Sequence, residues 1–358
     1  MKQLVLILKN PGTSCNIGCV YCAERRKKYI SVDNIISLKQ IEKMASLTKD
    51  YSLNVLFHGG EPTLLDTDYY DSIMNIFRKY NSDVFFGLQT NATLIDDKWI
   101  GFIEKNIERM GISVSLDGTR EANKYRLDKT NKETFDCVYN NIKKLEKNNI
   151  KTGMICTIVK STLHKEKKIF ELFNSFNNLL FVKLNPCMDR NEDGTLPEWA
   201  VSPEEYFKFV CNFFDIQIRE SGWDKFFLEP VISVLKNLQG VKSYFCNYSS
   251  DKCFNFLSLY PDGRITSCDN YNLENGLLGN VDTIESIESI RYMQNNSKLL
   301  NSYNDLLDKC KFCESKNICH GGCIAIRQRY TDNNDYCYWM RYMINHIKRV
   351  FDEVKKSN

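Results

Sequence analysis

The chain has 358 residues, 43% of them hydrophobic and 26% charged, with a formal net charge of +3. That length accommodates one large domain or two ordinary ones around a sizeable core, and the near-balanced charge argues against a purely electrostatic binder of nucleic acid. No run approaches the roughly 18 apolar residues of a membrane span, and the five apolar residues of Leu4–Leu8 read as a strand rather than a targeting segment.

In chain order, residues 3–8 read as a buried strand, which Pro11-Gly12 ends before a loop carrying Cys15, Cys19 and Cys22. Helical patterning over 37–48 leads into a strand at 52–57. Helix and strand then alternate at 67–80 and 83–88, 96–107 and 111–116, 132–149 and 151–159, and 165–176 and 179–184. Ser202-Pro203-Glu204-Glu205 opens a further helix over 203–220. Six strands alternating with six helices imply parallel strands joined by right-handed crossovers. Over about 220 residues they predict an α/β fold, a partial (β/α)6 TIM-like barrel rather than the closed eight-fold one.

Beyond about residue 235 the alternation stops, turns multiply and cysteines return. The expected division is a barrel at 1–234 and a second domain at 235–358. A hairpin over 256–267 turns at Tyr260-Pro261-Asp262-Gly263-Arg264, and a helix over 335–356 closes the chain.

In parallel sheets of this kind, chemistry sits at the C-terminal ends of the strands. The cysteine loop follows strand 1, Gly59-Gly60-Glu61-Pro62 follows strand 2, and Gln89-Thr90-Asn91 follows strand 3. Asp117-Gly118 follows strand 4, and Asn185-Pro186 follows strand 6. Three cysteines within eight residues select iron–sulfur clusters or zinc. Three ligands are too few for a closed structural zinc site, although a zinc knuckle completed by a distant His or Cys is an alternative. A cubane held by three cysteines keeps one iron open for a ligand.

Cys15-x3-Cys19-x2-Cys22, with the aromatic Tyr21 just before the last cysteine, resembles the signature of the radical S-adenosylmethionine (radical SAM) superfamily. The resemblance implies a SAM-binding [4Fe–4S] cluster on Cys15, Cys19 and Cys22. It implies that Gly59, Gly60, Glu61 and Pro62 hold the SAM amino group, and that Ser115 and Arg126 face the ribose and carboxylate. Gln89 and Asn91 are expected to face the same cavity. The structural alternatives are a Gly-Gly turn, a strand serine and a solvated helix arginine. An electron donor such as a flavodoxin or ferredoxin is also implied, in an oxygen-poor cytoplasm.

The remaining cysteines extend the pattern. Fifteen in a long chain without a signal peptide point to ligation, not disulfides. Cys246, Cys253 and Cys268, followed by Cys310-x2-Cys313-x5-Cys319-x3-Cys323 and then Cys337, resemble the SPASM domain, which holds two auxiliary [4Fe–4S] clusters. The family assignment gives Cys246, Cys253, Cys268 and Cys323 to the first and Cys310, Cys313, Cys319 and Cys337 to the second. Zinc could occupy the same cysteines. His320, inside the motif, is expected to be structural. Cys137, Cys156, Cys187 and Cys211 are expected to be buried small hydrophobes. Cys187, just past strand 6, is the best of these as a hydrogen-atom donor, which a peptide epimerase would need.

Ser267-Cys268-Asp269 resembles the stretch in anaerobic sulfatase-maturating enzymes where a cluster ligand precedes the general base, which assigns that role to Asp269. In that chemistry a Ser or Cys side chain of a target protein becomes formylglycine. After Cys22, however, this chain reads Ala-Glu-Arg-Arg-Lys-Lys, a cationic loop at 23–28 where the sulfatase-maturating enzymes carry an aromatic residue and less charge. Such a run is a solvated face or an attractor for an acidic peptide. Only fourteen residues precede Cys15, so the N-terminal recognition domain of many peptide maturases is expected to be absent, leaving direct capture or a separate recognition protein. The first expectation is therefore maturation of a ribosomally made peptide by oxidation or crosslinking of a side chain. Formylglycine formation is the alternative, and a zinc-stabilised interaction protein is the non-catalytic one. No membrane or nucleic-acid partner is expected.

Overall fold

Period-two alternation of apolar residues in the N-terminal two-thirds builds one parallel sheet, each strand turning its larger apolar side chains toward a layer of helices. The computed structural model describes residues 2–26, 35–220, 224–270, 273–297, 301, 304, 307–308, 310–330 and 333–357. Strands β1 (Gln3–Lys9), β2 (Ser52–His58), β3 (Phe85–Thr90), β4 (Met110–Ser115), β5 (Thr152–Ile158), β6 (Leu179–Pro186) and β7 (Phe227–Glu229) pair in that order, all parallel. Between them run α1 (Leu38–Leu47), α2 (Thr67–Tyr80), α3 (Asp97–Lys105), α4 (Phe135–Lys147), α5 (Glu166–Asn174) and α6 (Pro203–Glu220), and α7 (Val231–Leu238) follows β7. The helices start where the sequence supplies caps: Ser37 and Gln40 form a reciprocal capping box on α1, and Asp96 accepts from Trp99 N at the head of α3.

The partial barrel is as expected from the alternation, with local differences. The third strand begins at Phe85 because Asn81 Oδ1 accepts from Asp83 N and holds a turn there. The helix expected from 132 begins at Phe135, because Leu127 and Glu133 form an antiparallel bridge with Asp128 accepting from Thr130 N and Lys132 N between them. The sixth strand runs through Asn185-Pro186, paired with Thr157 and Ile158 of β5. The three-residue β7 had no detectable pattern.

The C-terminal segment joins the same sheet. β8 (Phe256–Leu259) runs parallel to β1, with Val5 opposite Phe256 and Leu8 opposite Leu259. β9 (Arg264–Thr266) and β10 (Leu277–Asn280) continue it antiparallel, so the hairpin forms as expected and the ten-stranded sheet reads β10-β9-β8-β1-β2-β3-β4-β5-β6-β7. Hydrogen bonding thus runs across the boundary expected at 234/235. Short helices α8 (Leu273–Gly276), α9 (Ile287–Asn295), α10 (Lys316–Cys319) and α11 (Ile324–Arg327) carry the cysteine-rich region. The closing helix α12 (Asn333–Ser357) lies along α6, where the rings of Phe207 and Tyr336 meet edge to face at 5.5 Å. Among the described residues no helix is long and apolar enough to cross a membrane.

Candidate active site

The alternation that sends Leu6, Phe57, Leu88, Val114, Cys156 and Leu184 into the helix-side core points the intervening residues the other way. Ile7, Leu56, Gln89, Ser115, Ile155, Thr157 and Lys183 line a cavity of about 430 Å³ on the inner face of the sheet. Cys15, Cys19 and Cys22 border it from the loop after β1, and Cys246, Cys253, Cys268 and Cys323 border it from the C-terminal region. Cys187 and Asp269 face it too.

The loop bearing the three cysteines is clamped from two sides. Gly18 N donates to Leu127 O at 2.6 Å and Val20 N to Tyr125 O at 3.0 Å. On the other side Gly60 N donates to Gly12 O and Glu61 N to Ser14 O, each at 2.8 Å. A Cβ on Gly60 would lie 1.8 Å from Ser14 O, so glycine is needed there for backbone-on-backbone packing against the cysteine loop. Gly59 sits at φ +142, a conformation that side chains disfavour. Arg25 caps the loop, its guanidinium donating to Gly18 O at 2.8 Å. This arginine of the cationic run therefore serves the loop itself; Lys27 and Lys28 lie outside the described residues.

Glu61 is 1% exposed, and its carboxylate accepts from Thr63 N, Thr63 Oγ1, Thr90 Oγ1 and Asn91 N at 2.7–3.0 Å. Burial raises its pKa against the lowering effect of these donors. Its side chain thus fastens the end of β2 to the end of β3, while Gly59, Gly60 and Glu61 border the cavity. Pro62 lies outside the cavity lining, buried, with its carbonyl accepting from Tyr70 Oη. Asn91 borders the cavity, and its amide donates to Asn16 Oδ1 at 2.9 Å and approaches Cys15 Sγ at 3.7 Å.

Arg126 is buried, not a solvated helix arginine. Its guanidinium donates to Tyr21 Oη at 3.0 Å, and Tyr21 in turn donates to the fully buried Asp117. Burial works against the Arg126 charge, but Cys19, Tyr21 and Asp117 more than offset it and its pKa is raised. Arg126 Nε is buried without a hydrogen-bond partner, at the wall of the cavity. A buried cation with an unused donor suits the carboxylate of a bound ligand. Burial also pushes the Cys19 thiol up to about 11 and raises that of Cys15, so ligation by either would release a proton.

A second polar group was not legible in the sequence. Lys9, the last residue of β1, is 0% exposed. Its ammonium donates to Glu24 Oε1 at 2.8 Å and to Asp269 Oδ2 at 3.3 Å, and lies 3.0 Å from His58 Nδ1. An ammonium is only a donor, so Nδ1 accepts and the ring proton belongs on Nε2. His58 is Lys9's register partner on β2, and its Nδ1 is 3.6 Å from Asp269 Oδ2. Asp269 therefore faces the cavity while tied to the floor of the barrel. The available signal was a lysine closing an otherwise apolar strand beside the cysteine loop.

The eight C-terminal cysteines differ in their relation to the cavity. Cys246, Cys253, Cys268 and Cys323 border it, whereas Cys310, Cys313, Cys319 and Cys337 do not. The hydrogen bond that the Cys268 thiol gives to Cys253, then burial, raises the Cys268 pKa, and Cys310 and Cys313 lie near enough to Cys337 to act on its charge. Among the described residues no three His, Cys, Asp or Glu converge on a single-ion site. His320 takes a left-handed conformation at the end of α10. Cys156 and Cys211 are core residues, and Cys187 is buried at the cavity wall. Cys137 is a correction: it is exposed on α4, with its thiol donating to Thr93 O at 3.3 Å.

Residues 9–173 match the model of the Radical SAM superfamily. A cysteine-type anaerobic sulfatase-maturating enzyme of Clostridium novyi is 28% identical, over 94% of this chain and 93% of its own length. A serine-type counterpart from Bacteroides thetaiotaomicron is 26% identical, over 99% and 92%. Among solved structures, anSMEcpe with bound AdoMet superposes with a TM-score of 0.84 at 23% identity, over 99% of this chain and all of that one (100%). SuiB of Streptococcus suis with S-adenosylmethionine gives 0.64 at 16%, over 92% and 75%. At these identities the structural likenesses are of fold: a partial barrel followed by a cysteine-rich region.

Proposed function

We propose that the chain is a radical SAM enzyme related to anaerobic sulfatase-maturating enzymes, and that it oxidises a Cys or Ser side chain of a protein substrate to formylglycine. This reverses the order expected from the sequence, where peptide crosslinking came first. Relatives named as sulfatase-maturating enzymes match over nearly the whole chain. The observation that carries the proposal is Asp269, next to Cys268, facing the same cavity as Cys15, Cys19 and Cys22.

The residues present fit the groups the family uses. Cys15, Cys19 and Cys22 would hold the SAM-binding [4Fe–4S] cluster, with the unused Arg126 Nε available to the SAM carboxylate. Gly59, Gly60, Gln89 and Ser115 line the same cavity and would complete the wall around SAM. Cys246, Cys253, Cys268 and Cys323 would hold one auxiliary cluster, and Cys310, Cys313, Cys319 and Cys337 another. When bound, these groups supply a carbon-centred radical that takes one hydrogen atom from the substrate and a sink for the remaining electron.

What the chain itself contributes is position and a proton site. Asp269 accepts the proton of the substrate thiol or hydroxyl, provided that group comes within hydrogen-bond reach. Lys9 fixes the Asp269 carboxylate, and His58 and Glu24 fix Lys9. The substrate loses a hydrogen atom, a proton and an electron: a serine becomes the aldehyde directly, whereas a cysteine becomes a thioaldehyde that water hydrolyses to the aldehyde with release of hydrogen sulfide. An external donor such as a flavodoxin or ferredoxin would supply reducing electrons. Anaerobic incubation of the iron-reconstituted protein with Cys- and Ser-containing sulfatase peptides, read by mass spectrometry, tests this. An aldehyde product is expected. An unchanged sulfatase peptide, with loss of two hydrogens from a different small peptide, would support the crosslinking alternative instead.

A further inference from the structure

Arg327 is buried to 2% exposure between the two sets of C-terminal cysteines. It ends α11, whose N-cap is Cys323 of the first set, and its backbone N donates to Cys323 O at 3.0 Å. Its side chain turns away from that end. One guanidinium nitrogen donates to Gly321 O at 2.8 Å and another lies 3.4 Å from Cys337 Sγ, in the second set. The guanidinium carbon is 5.8 Å from the centroid of the Tyr336 ring, which helps fix its plane. Near the first set the charges are paired: Asp269 directly follows Cys268, and its carboxylate meets the buried Lys9 ammonium at 3.3 Å.

A cluster gains negative charge on reduction. A buried cation donating to a ligand sulfur stabilises the reduced form and raises the reduction potential, and a neighbouring carboxylate does the reverse. We propose that Arg327 holds the potential of the second auxiliary cluster above that of the first, so that an electron arriving on the cavity side comes to rest on the outer cluster. This rests on the proposed reading that each set of four cysteines carries a [4Fe–4S] cluster. The asymmetry is built from this chain's own charges. The cavity-lining set sits beside Asp269, whose charge Lys9 counters, and the set outside the cavity sits beside a cation that donates toward one of its own sulfurs. Arg327 is thus a tuning residue, with no requirement to touch substrate.

The test is a redox titration followed by electron paramagnetic resonance on the reconstituted full chain, comparing wild type, R327Q and R327K. With about twelve irons retained, R327Q is expected to move one auxiliary midpoint negative by at least a tenfold change in the one-electron equilibrium, about 59 mV. R327K, which keeps the charge, is expected to stay near wild type, and the SAM-cluster midpoint is expected not to move. R327Q with full iron and unchanged midpoints would overturn the proposal. If R327Q loses iron, R327K decides: an unmoved midpoint supports a charge effect, and a shift as large as a tenfold change with full iron overturns it. A wild-type protein that binds only about four irons would instead sink the cluster reading itself.

Discussion

Lys9 Nζ lies 3.3 Å from Asp269 Oδ2, linking the end of the first strand to the residue after Cys268 across 260 positions of sequence. The same ammonium holds Glu24, two residues beyond Cys22. One buried cation therefore joins the loop where the radical would be made to the carboxylate where a substrate proton would go. Its hydrogen bonds fix how far apart those two places are.

Replacing Lys9 leaves two carboxylates at a buried site without their shared cation. Lys9→Met is expected to destabilise the protein by about 3–5 kcal/mol, the usual cost of breaking a buried ion pair from one side. Urea unfolding under anaerobic conditions checks it. Lys79→Met, which removes the exposed partner of Glu42, should be indistinguishable from wild type. Equal effects from the two substitutions would contradict the buried assignment.

Asp269→Asn keeps the shape of the side chain and removes the proton acceptor. SAM cleavage, read as 5′-deoxyadenosine, is expected to continue, while aldehyde formation falls by about 10²–10⁴-fold. A variant that lost both in proportion would place Asp269 in assembly of the site rather than in proton transfer.

Arg126→Gln is expected to weaken SAM binding about 10–100-fold, equivalent to one charge-assisted hydrogen bond, with iron content unchanged. Arg126→Lys should recover only part of that, because an ammonium cannot donate to Tyr21 and to a ligand carboxylate in the same fork. Equilibrium dialysis against labelled SAM measures both. Unaltered affinity in the glutamine variant would remove Arg126 from the SAM site.

Gly60→Ala drives a methyl group into Ser14 O, from which the Cβ would be only 1.8 Å away. The cysteine loop must move, so about four of about twelve irons are expected to be lost. Iron analysis and the cluster spectrum test it. Full occupancy in this variant would show that the loop can yield without releasing its cluster.

Cys187→Ala separates two chemistries. Formylglycine formation needs no hydrogen-atom donor from the protein, so aldehyde yield and rate should match wild type. An epimerase would stall after one turnover with its substrate radical unquenched. A single-turnover stop in this variant, seen by counting product per enzyme, would argue for epimerisation.

The sequence made the barrel legible because six strands alternate apolar and polar side chains with period two, and each is followed by an amphipathic helix. The cysteines were legible because ligand spacing is local. What stayed hidden depends on tertiary placement. Lys9 and Asp269 meet only because β8 pairs with β1, a register that no local pattern announces. The resemblance alone, not the local pattern, put Arg126 in the cavity, because its burial comes from Tyr21 and Asp117, each supplied by another segment. The close packing of Ser14 O on Gly60 was not legible either, because it depends on how the loop after β1 folds back onto the end of β2.

The pairing of β8 with β1 also bears on how the protein is made. During synthesis β1 leaves the ribosome about 250 residues before β8, an interval on the order of 10–50 s at ordinary elongation rates. Until β8 arrives, one side of the apolar β1 has unpaired backbone groups, the condition under which strands join wrong partners. The nascent barrel is therefore a natural client for a chaperone, and a chain terminated near residue 235 would keep that liability permanently.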